Sequence, residues 1–111
     1  EIFKYFNIDI NSEYANNGQI LDGILIMKKN KNLNIIIDEW DNVMHDDPLL
    51  FTDHYNKMEQ NSEFIDNRHE QSILSVVRKK HGSILLEDET WFTPFGNKES
   101  LQYPFWATRK R

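Results

Sequence analysis

Between Leu33 and Met44 the apolar residues Leu33, Ile36, Ile37, Trp40, Val43 and Met44 recur at spacings of three, one, three, three and one. That rhythm is one stripe on a helix of 3.6 residues per turn, with Asn34, Asp38, Asp41 and Asn42 on the other side. A stripe this wide has to be buried, so whatever else the chain does it must fold around this face. Pro48 sets the limit, because its ring keeps the preceding residue out of the helical region. The spacing predicts a helix over Leu33 to Met44.

A second helix is expected over Glu70 to Lys80. Asn67 with Glu70 three positions on has the spacing of a capping box, and Ile73, Leu74, Val76 and Val77 follow as core residues. Arg78, Lys79, Lys80 and His81 suit the negative end of the helix dipole, and Gly82 supplies a positive-φ stop. Ahead of the first helix, Gln19 to Lys29 is β-branched and aliphatic, broken only by Asp22 and Gly23, which predicts a buried strand over Ile20 to Met27. Ser83 to Leu86 has the character of a second, shorter strand. Loops are expected at Asn11 to Gly18, Asp46 to Asn67 and Thr93 to Pro104, with an aromatic, aperiodic tail from Trp91 to Arg111. The order strand, helix, loop, helix, strand, tail predicts a mixed α/β segment with one sheet covered by helices.

The chain has 111 residues, room for one domain or part of one, and 39% of them are hydrophobic, enough for a real core. Thirteen basic against eighteen acidic residues leave a net charge of −5, which argues against a broad field for nucleic acid or anionic lipid. No apolar run approaches the roughly 20 residues of a membrane span, and cysteine is absent, which excludes disulfide scaffolds and thiolate metal sites. The expected setting is cytoplasmic. Glu1 stands where an initiator methionine would, and Ile2, Phe3, Tyr5 and Phe6 follow at once, so the sequence is expected to be cut from something longer.

Several polar groupings compete as sites. Glu39 and Asp41 bracket Trp40, but two residues apart on a helix they point about 200° from each other and cannot share one ion. Glu87, Asp88 and Glu89 follow the second strand, a position from which carboxylates often reach a ligand. His45, Asp46 and Asp47 with Asp53 and His54 offer metal-ligand types without a fixed motif, and no metal site is expected from them. The densest cluster is Arg68, His69, Glu70, Gln71 and Ser72 at the start of the second helix, where free backbone amides and mixed polar side chains suit a polyhydroxylated ligand. The competing role for Glu70 is helix capping alone. Asp22 is a charge within an apolar run, which costs several kcal/mol unless it is paired or faces a cleft, and Gly23 beside it permits close approach.

The run from Phe64 to Ser75 through Arg68-His69-Glu70-Gln71-Ser72, followed by Lys79 to Gly82 and Asp88-Glu89-Thr90, resembles the Arg-His-Asp-Gln-Ser segment of bacterial and viral GT-A-type glycosyltransferases. Leu21-Asp22-Gly23 with the apolar run to Met27 is similar to the glycine strand of those enzymes, ahead of a helix carrying Trp40. The resemblance spans Gln19 to Thr90. It implies the C-terminal, acceptor-side half of a GT-A fold, acting on a nucleotide-diphospho-sugar donor and a glycan acceptor. It implies Glu70 and Gln71 at the reaction centre, and Asp22, Gly23, Arg68 and His69 in substrate binding. Glu70 stands where the family has aspartate, one methylene shorter. The resemblance also implies a divalent metal, manganese or magnesium, whose Asp-x-Asp ligands are not in these residues, so the segment alone is expected to be inactive. A small non-catalytic α/β binding or scaffold domain is the alternative.

Overall fold

The computed structural model describes residues 1–88, 90, 94 and 96–106. Four α-helices occur in it: α1 (Ile2–Tyr5), α2 (Glu13–Asn16), α3 (Lys31–Asp46) and α4 (Glu70–His81). Short 3-10 turns lie at Pro48–Phe51, Tyr55–Lys57 and Ser100–Gln102. Among the described residues no helix is long and apolar enough to cross a membrane.

Helix α3 begins where Asn30 accepts a hydrogen bond from the Leu33 amide at 2.8 Å, satisfying one of the free donors of the first turn. It ends at Asp46. Asp47 then accepts from the Leu49 amide and starts the turn that opens with Pro48. The stripe is buried unevenly. Ile36 and Val43 are core and Leu33 and Trp40 half-buried, while Ile37 and Met44 stay exposed at its margin.

Helix α4 is the centre of the molecule. Ile73, Leu74, Ser75, Val76 and Val77 are all buried, more than one helical face, so α4 is covered on several sides. Ile36, Val43, Leu50, Ile73, Leu74 and Val77 form the main cluster, against which Ile2, Phe6, Leu25, Trp40, Phe51 and Tyr55 pack. Helix α1 is pinned by Tyr5 donating to Asp46 at 2.8 Å and by Phe6 lying under the Lys80 ammonium. Burial and the Asp46 carboxylate push the Tyr5 phenol up to about 12. Across α3 and α4, Glu39 takes both Lys80 and His81. Gly82 ends α4 at φ 81°, the positive value that a residue without Cβ adopts freely.

The expected α/β architecture is overturned. Among the described residues the chain is helical with no strand, so neither the mixed sheet nor the C-terminal half of a GT-A fold is present. Residues 20–27 and 83–86, the two expected strands, are irregular and make no backbone ladder with each other or with a third segment. The reason lies in α4. Its side chains take backbone groups that a neighbouring strand would need: the Ile20 amide donates to Ser75 Oγ at 2.9 Å, and Arg78 donates to the Leu21 carbonyl at 3.1 Å. A β-prone composition cannot make a strand without a partner backbone. Ile26, Ile84 and Leu86 are accordingly left about four-fifths or more exposed. The radius of gyration, 16.2 Å, exceeds the roughly 13 Å of a closely packed chain of this length. Glu89, Trp91 to Thr93, Phe95 and Ala107 to Arg111, and with them part of the expected acidic turn and aromatic tail, lie outside the described residues.

Candidate functional site

The start of α4 is built differently from a capping box. Asn67 does not cap the helix. Its buried amide donates to the Leu50 carbonyl at 3.2 Å and the Thr52 carbonyl at 3.0 Å, and its oxygen accepts from the His69 amide at 3.1 Å. The capping position falls to His69, whose side chain makes no capping bond. Ser72 instead reaches back to accept from the Arg68 amide at 2.7 Å, and also accepts from Gln19 at 2.9 Å. Two consequences follow for Glu70. It stands exposed on the first turn, and its carboxylate has no capping task there.

His69 holds φ 51° and ψ −121°, a conformation that costs a side-chain-bearing residue roughly 1–3 kcal/mol. It is kept there by Asn67 and by an imidazole–carboxylate contact of 2.9 Å from Nε2 to Asp53. Asp53 also accepts from Asn56, so its orientation is set from two sides. Arg68 lies 3.9 Å from Asp66 and is exposed.

Residues 19–28 and 83–88 run along α3 and α4 and enclose a groove of about 940 Å³. Asp22, Gly23 and Gln71 line it together, although nearly fifty positions separate the first two from the third. Gln71 is half-buried, and its Nε2 is fully buried without a hydrogen-bond partner. An unpaired buried amide donor costs about 1–3 kcal/mol, and because this one is shielded from the groove a ligand oxygen would meet it only after the side chain turns. A Cβ at Gly23 would meet no atom within 4 Å, so nothing in the described chain requires glycine there. Asp22 is half-buried and lines the groove, but the run around it is irregular and largely exposed, so no buried strand sets the cost of its charge. Leu33, Ile36 and Leu74 contribute an apolar floor, and Tyr103 and Phe105 add aromatic rings. Arg68, His69 and Glu70 do not line the groove; they sit on the turn just before Gln71.

Arg78 is the groove residue that sequence reasoning missed. It was grouped with Lys79, Lys80 and His81 as helix-end charge, yet those three turn elsewhere. Lys79 donates to the Tyr14 and Asn17 carbonyls, and Lys80 and His81 meet Glu39. Burial pushes the Arg78 guanidinium below its ordinary value, while Asp22 draws it back up. The signal in the sequence was the four-residue helical step from Leu74 to Arg78, which puts both on one side of α4.

The other acidic groupings are absorbed by structure. Asp41 lies 3.5 Å from His45, Asp46 accepts from Tyr5, and Asp47 accepts from Tyr55. Asp88 accepts from both the amide and hydroxyl of Thr90, which holds its carboxyl below the usual range. Among the described residues no three His, Asp or Glu side chains converge to hold a metal ion, and the ligands that the resemblance implies for manganese or magnesium are expected outside these residues. No family model, no curated protein and no solved structure matches the chain.

Proposed function

We propose that this chain is part of a cytoplasmic glycosyltransferase that moves a sugar from a nucleotide-diphospho-sugar to a glycan acceptor. The observation that carries the reading is the meeting of Asp22, Gly23 and Gln71 in one groove, with the Gln71 amide buried and unpaired. A sugar presents hydroxyls at its rim and apolar C–H faces, and the groove offers a carboxylate, an amide and aromatic rings to match.

In this reading Gln71 donates to a sugar hydroxyl and Asp22 accepts from another, fixing the ring. Glu70, one residue before Gln71, free of capping and outside the groove lining, takes the proton of an acceptor hydroxyl that approaches from the α4 turn beside Gln71. As that oxygen bonds to the anomeric carbon, the bond from that carbon to the phosphate oxygen breaks and the nucleoside diphosphate leaves. His69, held by Asp53, sets the backbone from which Glu70 and Gln71 project.

Calorimetric titration with nucleotide-diphospho-hexoses tests the reading. Gln71→Ala and Asp22→Asn should each weaken binding by about tenfold, the worth of one good hydrogen bond, at unchanged unfolding temperature. Binding that is absent, or indifferent to both substitutions, would refute it. A non-catalytic binding or scaffold domain is the second reading, favoured by the exposure of Ile26, Ile84 and Leu86; it expects no sugar to bind.

A further inference from the structure

We propose that residues 22–28 are a self-pairing edge, through which two copies of this chain join backbone to backbone, antiparallel, about a two-fold axis at Leu25. The contact is a ribbon between two molecules, not a sheet within one, and it stands apart from the sugar reading.

Among the described residues no backbone amide or carbonyl of residues 22–28 makes a hydrogen bond. The segment reads Asp-Gly-Ile-Leu-Ile-Met-Lys, with strand-forming residues at its centre. What it lacks is a second backbone, and a free edge of this composition is a template for one from another molecule. Leu25 packs against the core, while Ile24 and Ile26 on either side of it are exposed. That alternation matches a paired strand with one inward and one outward face.

The charges select the occupant. The segment starts acidic and ends basic. Parallel pairing of two copies would set Asp22 against Asp22 and Lys28 against Lys28, and like charges directly opposite each other destabilise a pair of strands. Antiparallel pairing centred on Leu25 instead sets Asp22 opposite Lys28 of the second copy at both ends, with Ile24 opposite Ile26 of the second copy between them. Asp22, Ile24, Ile26 and Lys28 are spaced two apart, so both ion pairs and both isoleucine pairs fall on the outward face. A contact of this kind is isologous and closes at two copies. Its charges are available: among the described residues neither Asp22 nor Lys28 lies in an ion pair, and Arg78 acts on Asp22 only through space. The Asp22 carboxylate has two oxygens, so a lysine of the second copy and a hydroxyl in the groove can be held together. Seven paired residues span only about 23 Å, less than a standard interface of roughly 800 Å² per partner requires, although the exposed Ile84, Leu85 and Leu86 along the same groove add apolar area. The dimer is accordingly a weak one, in the micromolar range.

Sedimentation of the full chain from about 1 μM to about 1 mM tests the proposal and should show a reversible monomer–dimer equilibrium. Asp22→Lys and Lys28→Asp each place like charges at both ends of the ribbon, and each should raise the dimer dissociation constant by at least about tenfold. An equimolar mixture of those two variants has opposite charges at both ends again and should recover the dimer as a heterodimer. Ile26→Lys should weaken the dimer as well, whereas Ile65→Lys, at a residue 95% exposed but outside the groove, should leave it intact. Circular dichroism melts establish that each variant is folded. A chain that stays monomeric over the whole range, a dimer indifferent to both charge reversals, or a mixture that does not recover it overturns the proposal. Growth beyond two copies also overturns it, because a two-fold contact closes.

Discussion

Removing the Asn67 side chain should destabilise the fold more than any change at the exposed residues around it. Asn67 is 9% exposed and joins three backbone groups, the Leu50 and Thr52 carbonyls and the His69 amide. At about 1 kcal/mol net for each bond, Asn67→Ala should cost about 3 kcal/mol, and orphaned buried groups push the figure upward. Against a total stability of roughly 5–15 kcal/mol this lowers the unfolding midpoint by about 10–20 °C. Asn67→Asp is the sharper probe. It keeps the acceptor for the His69 amide but turns the donor toward Leu50 and Thr52 into an oxygen facing two carbonyl oxygens. The introduced carboxyl can donate there only when protonated, so its pKa in the folded state is raised above the unfolded value. Its stabilising contribution is therefore present at pH below the unfolded value and lost as pH rises through the folded one. Thermal unfolding of both variants from pH 3 to 8 should show Asn67→Ala uniformly weakened and Asn67→Asp weakened most at neutral pH. An Asn67→Ala midpoint within about 2 °C of the parent, or no pH dependence of that kind in Asn67→Asp, would refute the bracing role.

Three further outcomes are expected. Glu39 is held below its ordinary range by Lys80 and His81 against the opposing effect of burial, so its stabilisation is present above the unfolded carboxylate value and lost as pH falls through the folded one; urea unfolding in Glu39→Gln should lack that acid-side loss. Glu70→Gln should slow sugar transfer by about a hundredfold or more in the transferase that carries this chain, with the unfolding midpoint unchanged because the carboxylate caps nothing; undiminished transfer would remove Glu70 from the reaction. Gly23→Ala should fold normally, since a Cβ there meets no atom within 4 Å, and still weaken sugar binding measured by calorimetry.

The two long helices were legible because each carries its own boundary chemistry and its own period. Pro48 stops α3 and Gly82 ends α4 whatever the rest of the molecule does. The strands were misjudged because residues 20–27 have strand composition, whereas a strand is a relation between two backbones, and here no second backbone pairs with them while Ser75 and Arg78 take the Ile20 amide and the Leu21 carbonyl. The same kind of error befell Asn67. Its spacing to Glu70 fits a capping box, yet it is engaged by carbonyls fifteen and seventeen residues away, and Ser72 does the local work. Asp22 and Gln71 line one groove while Arg68, His69 and Glu70 do not, and the buried strand from which the cost of the Asp22 charge was argued is absent among the described residues. Asp53 and Arg78 were missed because each was grouped with its sequence neighbours, while their partners, His69 and the groove, are brought to them by the fold.

The most direct measurement is the side-chain amide signal of Gln71 in a ¹⁵N-labelled chain titrated with a nucleotide-diphospho-hexose. If the groove holds the sugar, that buried, unpaired amide gains an acceptor, and its resonances should shift downfield and saturate together with the backbone signals of Asp22 and Gly23. A Gln71 amide that stays fixed while the ligand saturates elsewhere on the chain, or that never responds at all, would contradict the assignment of this groove to a sugar.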